Sequence, residues 1–241
     1  MDAADTRSGW REYWNADNPI YVNERHQQLH CSGIADDLVR LVGELCPAPG
    51  TAAVLDFGCG RALEAHRVAA ACGRLVLADS ASRVLEELRQ RFAAHPRVEV
   101  WPADGLDGRF GAEFDLVIVN SVIQYLTPAE LDALLVTLRG LLKPNGHLVV
   151  ADVIPRDTGA LTDARALLGF AARGGLLVPA VVGLARTAFS DYRKLRSRLG
   201  IAQYDEAEML KIFATRGYTA GRHPKNLGHN PARMTFVATP A

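Results

Sequence analysis

The residues best suited to chemistry stand where short apolar runs end. Val54-Leu55-Asp56-Phe57 runs into Gly58-Cys59-Gly60-Arg61-Ala62, and a residue without Cβ lets a ligand come close to the backbone at such a turn. Asp56 puts an acid at the end of that run, where a cationic group can meet it. Asp79 closes Leu75-Val76-Leu77-Ala78, about 20 residues on, the place where a carboxylate accepts both hydroxyls of a ribose. The chemistry on offer is the holding of a nucleoside. The dinucleotide fingerprint expects a small residue at position 63, and Leu63 stands there, which counts against NAD or FAD. Each aspartate could instead cap a helix, but acids at successive strand ends make capping the weaker account.

These residues need a parallel sheet to align them. Between Ala52 and Ala151 short β-branched or Leu-rich runs alternate with longer helical stretches, the pattern of a sheet covered by helices. Strands are expected at Ala52–Phe57, Arg74–Asp79, Val98–Ala103, Phe114–Asn120 and His147–Ile154. The last follows Lys143-Pro144-Asn145-Gly146, read as a helix stop and a turn. Thr127-Pro128-Ala129-Glu130 supplies an N-cap, a first-turn proline and a capping-box glutamate ahead of Leu131, Leu134, Leu135, Leu138 and Leu142. Upstream, Leu29, Ile34, Leu38, Leu41, Val42 and Leu45 recur at helical spacing until Pro47, Pro49 and Gly50. Downstream, Asp205 and Glu208 open a further helix that Gly217 ends, and two short strands follow near Tyr218–His223 and Arg233–Thr239. The expected organisation is a helical cap over 1–50, a nucleotide-binding core over 51–155, a helical insertion over 156–203, and a helix with two strands over 204–241 that completes the sheet.

Asp-x-Gly-x-Gly-x-Ala over Asp56 to Ala62, Ala103-Asp104-Gly105, the run Phe114 to Leu126 and the run Leu141 to Leu148 together resemble the motifs of class I, Rossmann-like S-adenosylmethionine-dependent methyltransferases. The resemblance covers roughly residues 50 to 155. It implies a mostly parallel seven-stranded α/β sheet with helices on both faces and S-adenosyl-L-methionine as cofactor. It also implies roles: Asp56 toward the methionyl ammonium, Gly58 and Gly60 packed on the cofactor backbone, Asp79 with Ser80 at the ribose, Asp104 with Gly105 at the adenine amino group, and Asn120 and Ser121 facing the methionine moiety. Ala62 stands where that family frequently has a third glycine. Gln124 and Tyr125 are similar to residues of natural-product methyltransferases, including domains embedded in peptide synthetases.

Such a reaction needs donor and acceptor held in line and water kept out. A hydroxyl acceptor is helped by a base that titrates near neutrality, and among the seven histidines His229 and His26 are the candidates. Trp10-Arg11-Glu12-Tyr13-Trp14 and Tyr21 to His26 are rich in aromatic and polar side chains. Their rings suit a sulfonium cation, and Arg25 suits the methionyl carboxylate.

Lys plus Arg number 27 and Asp plus Glu 27, so nothing draws the chain to nucleic acid. A small-molecule acceptor, nitrogen or oxygen, is the expectation. The four cysteines Cys31, Cys46, Cys59 and Cys72 lack metal-ligand spacing and no apolar leader opens the chain, which points to the cytoplasm and to no metal. The stretch Leu161 to Phe189 is apolar, with Arg186, Arg193, Lys194, Arg196 and Arg198 beside it. It is too short of apolar residues to span a bilayer, but it suits an apolar or lipid-like acceptor and a peripheral membrane contact. The competing functions are a Rossmann oxidoreductase, which Leu63 and Asp104 disfavour, and a non-catalytic nucleotide-binding interaction protein.

Overall fold

The computed structural model describes residues 23–106, 111–159 and 200–241, with isolated positions between 162 and 172. The aromatic run Trp10 to Trp14, the apolar stretch 173–189 and the basic residues from Arg186 to Arg198 lie outside the described residues.

Seven strands form one sheet in the order β3-β2-β1-β4-β5-β7-β6. They are β1 (Ala53–Phe57), β2 (Arg74–Asp79), β3 (Val98–Pro102), β4 (Phe114–Asn120), β5 (Leu142–Val153), β6 (Tyr218–His223) and β7 (Met234–Pro240). The first five run parallel, and β7 pairs antiparallel with both β5 and β6. The helices are α1 (Glu24–Leu45), α2 (Ala65–Ala71), α3 (Ser82–Phe92), α4 (Pro128–Leu141) and α5 (Glu206–Thr215).

Successive residues of a strand face opposite sides, and here both sides are dry. Leu55, Val76, Val117, Val119 and Val150 pack on the side that carries Leu131, Leu135, Leu138, Met209 and Phe213 of α4 and α5. Val54, Leu75, Leu77, Leu116, Ile118 and Val149 pack on the other, against Leu38, Leu41 and Val42 of α1, Val68 of α2 and Leu88 of α3. Two buried faces explain why β2 and β4 read as continuous apolar runs rather than alternating ones. Each fully buried Leu or Ile contributes about 1.5–3 kcal/mol.

Local chemistry sets the helix starts. Thr127 caps α4 reciprocally with Glu130, whose carboxylate accepts from the Thr127 N–H at 2.8 Å, and Asp205 with Glu208 does the same for α5. Gly217, at φ +75, ends the segment after α5 in the left-handed conformation that glycine adopts freely.

Two expectations need correction. β5 begins at Leu142 rather than His147: Leu142 pairs with Phe114 and His147 with Leu116, so Lys143 to Gly146 form a bulge inside the strand. A Cβ on Gly146 would lie 2.7 Å from the Phe114 carbonyl oxygen, so only glycine lets the bulge close on β4. Asp115 ties it down, accepting from Lys143 Nζ at 2.7 Å and from the Ala53 N–H at 2.8 Å. Leu29, expected on the apolar stripe of α1, is 36% exposed, while His26 one turn earlier is buried.

Candidate functional site

The five parallel strands end at one edge of the sheet, and the glycine turn, Asp56, Asp79, Asp104, Asn120 and Ser121 stand at those strand ends. The turn after β1 is pinned to β2: the N–H groups of Gly58 and Cys59 donate to the Ala78 carbonyl at 2.7 and 3.2 Å. Gly58 and Gly60 have φ of +71 and +56, a region closed to most side chains. At Gly58 a Cβ would also stand 2.4 Å from Val122 Cγ2, so the turn at β1 and the residues after β4 touch only because position 58 has no side chain. Ala62 lies at φ +38, holding a left-handed conformation that a third glycine would adopt without strain.

Asp79 braces that turn with its whole carboxylate. One oxygen accepts from the Gly60 N–H at 2.9 Å and the other from the Ala81 N–H at 2.8 Å; the residue is buried. Each oxygen keeps a lone pair for a ligand donor. Ser80 beside it is exposed. Asp104 and Gly105 follow β3 on an exposed turn, with Gly105 at φ +84, and the preceding Ala103 N–H donates to the Asp79 carbonyl at 2.8 Å.

Asp56 is half-buried at the end of β1. Burial, and then the neighbouring Asp79 charge, push its carboxyl up to about 7. The Cys59 thiol is driven well above its ordinary value by burial and by Asp56 and Asp79, so it is no nucleophile. Across the turn, Asn120 Oδ1 at the end of β4 is buried without a hydrogen-bond partner. Asp56 thus stands at the end of β1 as an acid whose ionised form is disfavoured, and Asn120 ends the neighbouring strand β4 with an unpartnered amide oxygen.

Ser121 and Asp152 are both non-glycine residues in the left-handed region, each at φ +58. They follow β4 and lie near the end of β5, and the Ser121 hydroxyl donates to Asp152 Oδ2 at 2.8 Å. Ser121 therefore joins the edge with its hydroxyl hydrogen already committed to Asp152. The Asp152 N–H donates in turn to Asn226 Oδ1 at 3.2 Å, and Asn226 also accepts from the Thr235 hydroxyl at 2.8 Å while donating to the Leu227 and Asn230 carbonyls at 2.7 and 3.0 Å. This amide fastens the loop between β6 and β7 to the ligand edge.

The same loop meets α1. Asp37, buried on α1, accepts from the Gly228 N–H at 2.9 Å and from Lys225 Nζ at 2.5 Å. One turn and more earlier, His30 Nδ1 lies 3.3 Å from His229 Nδ1, the rings edge to face at 5.3 Å. The contact needs one proton between the two nitrogens. Burial, then the charges of His229 and His26, lower His30 to about 4, and burial lowers His26. His26 and His229 thus fall in one cluster around His30. Their side of the sheet follows from register: Met234 at the start of β7 pairs with Val153 at the end of β5. Arg25 is exposed in the first turn of α1. Among the described residues no group of His, Cys, Asp and Glu is arranged to hold a metal ion, and no helix is long and apolar enough to cross a membrane.

Asp37 and Asp152 had no local signal in the sequence, since Gly228, Lys225 and Ser121, their partners across the fold, lie far along the chain, and Asn226 is tied both to Asp152 and to its own loop. Gln124 had one: a polar residue in the turn directly after an apolar strand, here 6% exposed.

A family model described as a methyltransferase domain matches residues 55–148. An uncharacterised methyltransferase of Schizosaccharomyces pombe is 32% identical over 149 residues, 56% of this chain and 52% of that protein. A polyketide synthase-nonribosomal peptide synthetase of Pyricularia oryzae is 30% identical over 139 residues, 54% of this chain and 3% of that protein. The chain thus spans about half the length of the first curated relative and a small fraction of the second. Among solved structures, magnesium protoporphyrin IX methyltransferase from Synechocystis PCC 6803 with bound S-adenosylhomocysteine superposes with a TM-score of 0.59 at 18% identity, covering 99% of this chain and 96% of that one. The Burkholderia thailandensis 1,6-didemethyltoxoflavin-N1-methyltransferase, with bound 1,6-didemethyltoxoflavin and S-adenosylhomocysteine, gives a TM-score of 0.61 at 16% identity, with coverage of 100% and 91%.

Proposed function

The chain carries a class I methyltransferase domain on a Rossmann-like α/β fold, and from that premise we propose that it binds S-adenosylmethionine and methylates nitrogen or oxygen of a small molecule. The observation that carries the reading is the ligand edge itself, where Asp56, Asp79 and the orphaned Asn120 Oδ1 surround a glycine turn. Residues 51–155 form the cofactor-binding core in this reading. Residues 1–50 cap it, and 204–241 complete the sheet.

When bound, the cofactor supplies a methyl already activated on a sulfonium centre. The protein does the rest. Asp56 and Asn120 Oδ1 take the methionyl ammonium, and the cation returns Asp56 to its ionised form. Asp79 accepts from the ribose hydroxyls through its spare lone pairs while its other bonds hold Gly60 in place. Asp104 and Gly105 bound the adenine, Ser80 lines the ribose edge, Ser121 borders the methionine moiety, and Arg25 pairs with the methionyl carboxylate. For an acceptor hydroxyl, His229 removes the proton, with His26 as the alternative base. If the His229 Nδ1–H donates to His30, the basic nitrogen of His229 is Nε2. The apolar composition of Leu161 to Phe189 favours an acceptor with an apolar or lipid-like body and a peripheral membrane approach.

Titration calorimetry with S-adenosylmethionine, S-adenosylhomocysteine and NADH tests this. Both sulfur nucleotides are expected to bind and NADH not to. Preferential binding of NADH, or binding of none of the three, refutes the proposal.

A further inference from the structure

Gln124 sits in the short 3-10 turn Ile123–Tyr125, four residues past the end of β4 and beyond Asn120 on the ligand edge. Its neighbours in that turn and just after it do the packing: Ile123 is 1% exposed and Leu126 lies against the same core. Gln124 is itself 6% exposed, yet its side chain contributes nothing to the fold by hydrogen bonding. Oε1 is buried with no partner, and no described residue bonds Nε2. Its backbone carbonyl, by contrast, accepts from the Ala202 N–H at 2.8 Å, which fixes the turn against the segment Gly200–Tyr204 as the chain returns to the sheet.

A carboxamide whose oxygen is buried without a hydrogen bond is unfavourable. Leu or Met could occupy the position without that penalty. Groups of this kind persist where a ligand completes them, and a site that leaves a buried polar group unpaired rejects analogues lacking its complement. The complement of a carboxamide is another amide-like edge, a donor beside an acceptor, to which Oε1 and Nε2 bond together.

We propose that Gln124 is a specificity-determining residue that recognises the methyl acceptor through an amide-like edge, as in a lactam, an imide or a carboxamide. The proposal rests on the cofactor reading above, because that reading makes the ground beyond Asn120 the acceptor side. It adds a polar recognition point to an acceptor whose body is apolar.

The test uses the intact protein saturated with S-adenosylhomocysteine and two small probes, 2-pyridone and N-methyl-2-pyridone, which differ in the N–H. Saturation-transfer NMR is expected to give a 2-pyridone signal at least about fivefold stronger than that of the N-methyl probe, in line with the cost of an unmade bond. Gln124→Met and Gln124→Leu are expected to reduce the 2-pyridone signal by a similar factor, while S-adenosylhomocysteine affinity stays within about twofold. Both variants are also expected to melt about 2–4 °C higher without acceptor, since an unsatisfied amide is removed. Equal signals from the two probes, a signal unchanged in both variants, no 2-pyridone signal on the loaded wild type, or a lower melting temperature in both variants overturns the proposal. Failure of the wild type to bind S-adenosylhomocysteine overturns instead the cofactor reading, and is measured first.

Discussion

Replacing Asp56 by Asn removes an acid whose folded-state pKa is raised to about 7, and the consequence is a pH-dependent gain in stability. In the unfolded chain the carboxyl titrates at its usual 3.8, and in the folded protein at about 7. Folding therefore favours the protonated form. The contribution to stability is fully present below 3.8 and is lost as pH rises to about 7, at about 1.4 kcal/mol per pH unit for a fully shielded group. Between pH 4 and pH 7 that amounts to about 4 kcal/mol, which screening at a half-buried site reduces to about 1–3 kcal/mol. Asn does not titrate, so urea denaturation should show Asp56→Asn gaining on the wild type by that amount from pH 4 to pH 7.5, with no further change above. In the proposed site the same carboxylate is the partner of the methionyl ammonium. Wild-type affinity for S-adenosylmethionine should thus rise with pH toward 7 with release of a proton, whereas Asp56→Asn should bind more weakly and without that dependence. Calorimetry in buffers of different ionisation enthalpy counts the proton. A stability difference constant from pH 4 to pH 7.5 would refute the electrostatic account of this edge.

Asp79→Ala strips the Gly60 and Ala81 N–H groups of their acceptor, so a loss of about 1–3 kcal/mol in urea denaturation is expected, together with at least about tenfold weaker nucleotide binding; unchanged affinity would sink the ribose assignment. Gly58→Ala sets a Cβ 2.4 Å from Val122 Cγ2 at φ +71 and should cost about 1–3 kcal/mol, read as a lower melting temperature, with equal stability arguing against the close contact. His30 is depressed to about 4 from 6.5, so the folded protein binds fewer protons than the unfolded chain between those values and loses stability as pH falls through them. His30→Phe should flatten that loss, and parallel wild-type and variant curves between pH 4.5 and 7 would show that His30 is not held neutral.

What the sequence made legible was local. β2 and β4 read directly as strands because both of their faces are buried and their apolar runs are unbroken. The start of α4 was plain because Thr127 and Glu130 satisfy each other within one turn. The bulge in β5 was missed because Pro144 and Gly146 are ordinary turn residues, and only the partner strand reveals that Leu142 still pairs with Phe114. Asp79 at the end of β2 was named from its spacing to the glycines, and Asp56 and Asp104 chiefly from the motifs that resemble the family. Asp37 was hidden, because its partners Lys225 and Gly228 lie 188 and 191 residues away. Asp152 was hidden for another reason: its left-handed backbone is imposed by Ser121 and Asn226 from outside β5, and no local pattern announces it. The histidines could be named as candidates, but their meeting at His30 depends on a loop reaching across to α1.

The placement of β7 between β5 and β6 has a consequence for how the protein is made. A ribosome emits β5 long before β7, so the outer rim of β5, with Leu148, Val149 and Val150 already in place beside β4, waits as an open template for other strands. It closes only when Met234–Pro240 arrives and slides into the gap. The loop bearing Asn226 and His229 leads into β7, so its hydrogen bond to Asp152 on β5 forms with that same late arrival. Ligand-induced resistance to proteolysis should then be absent from a chain truncated before Met234 and present in one that includes Met234–Pro240.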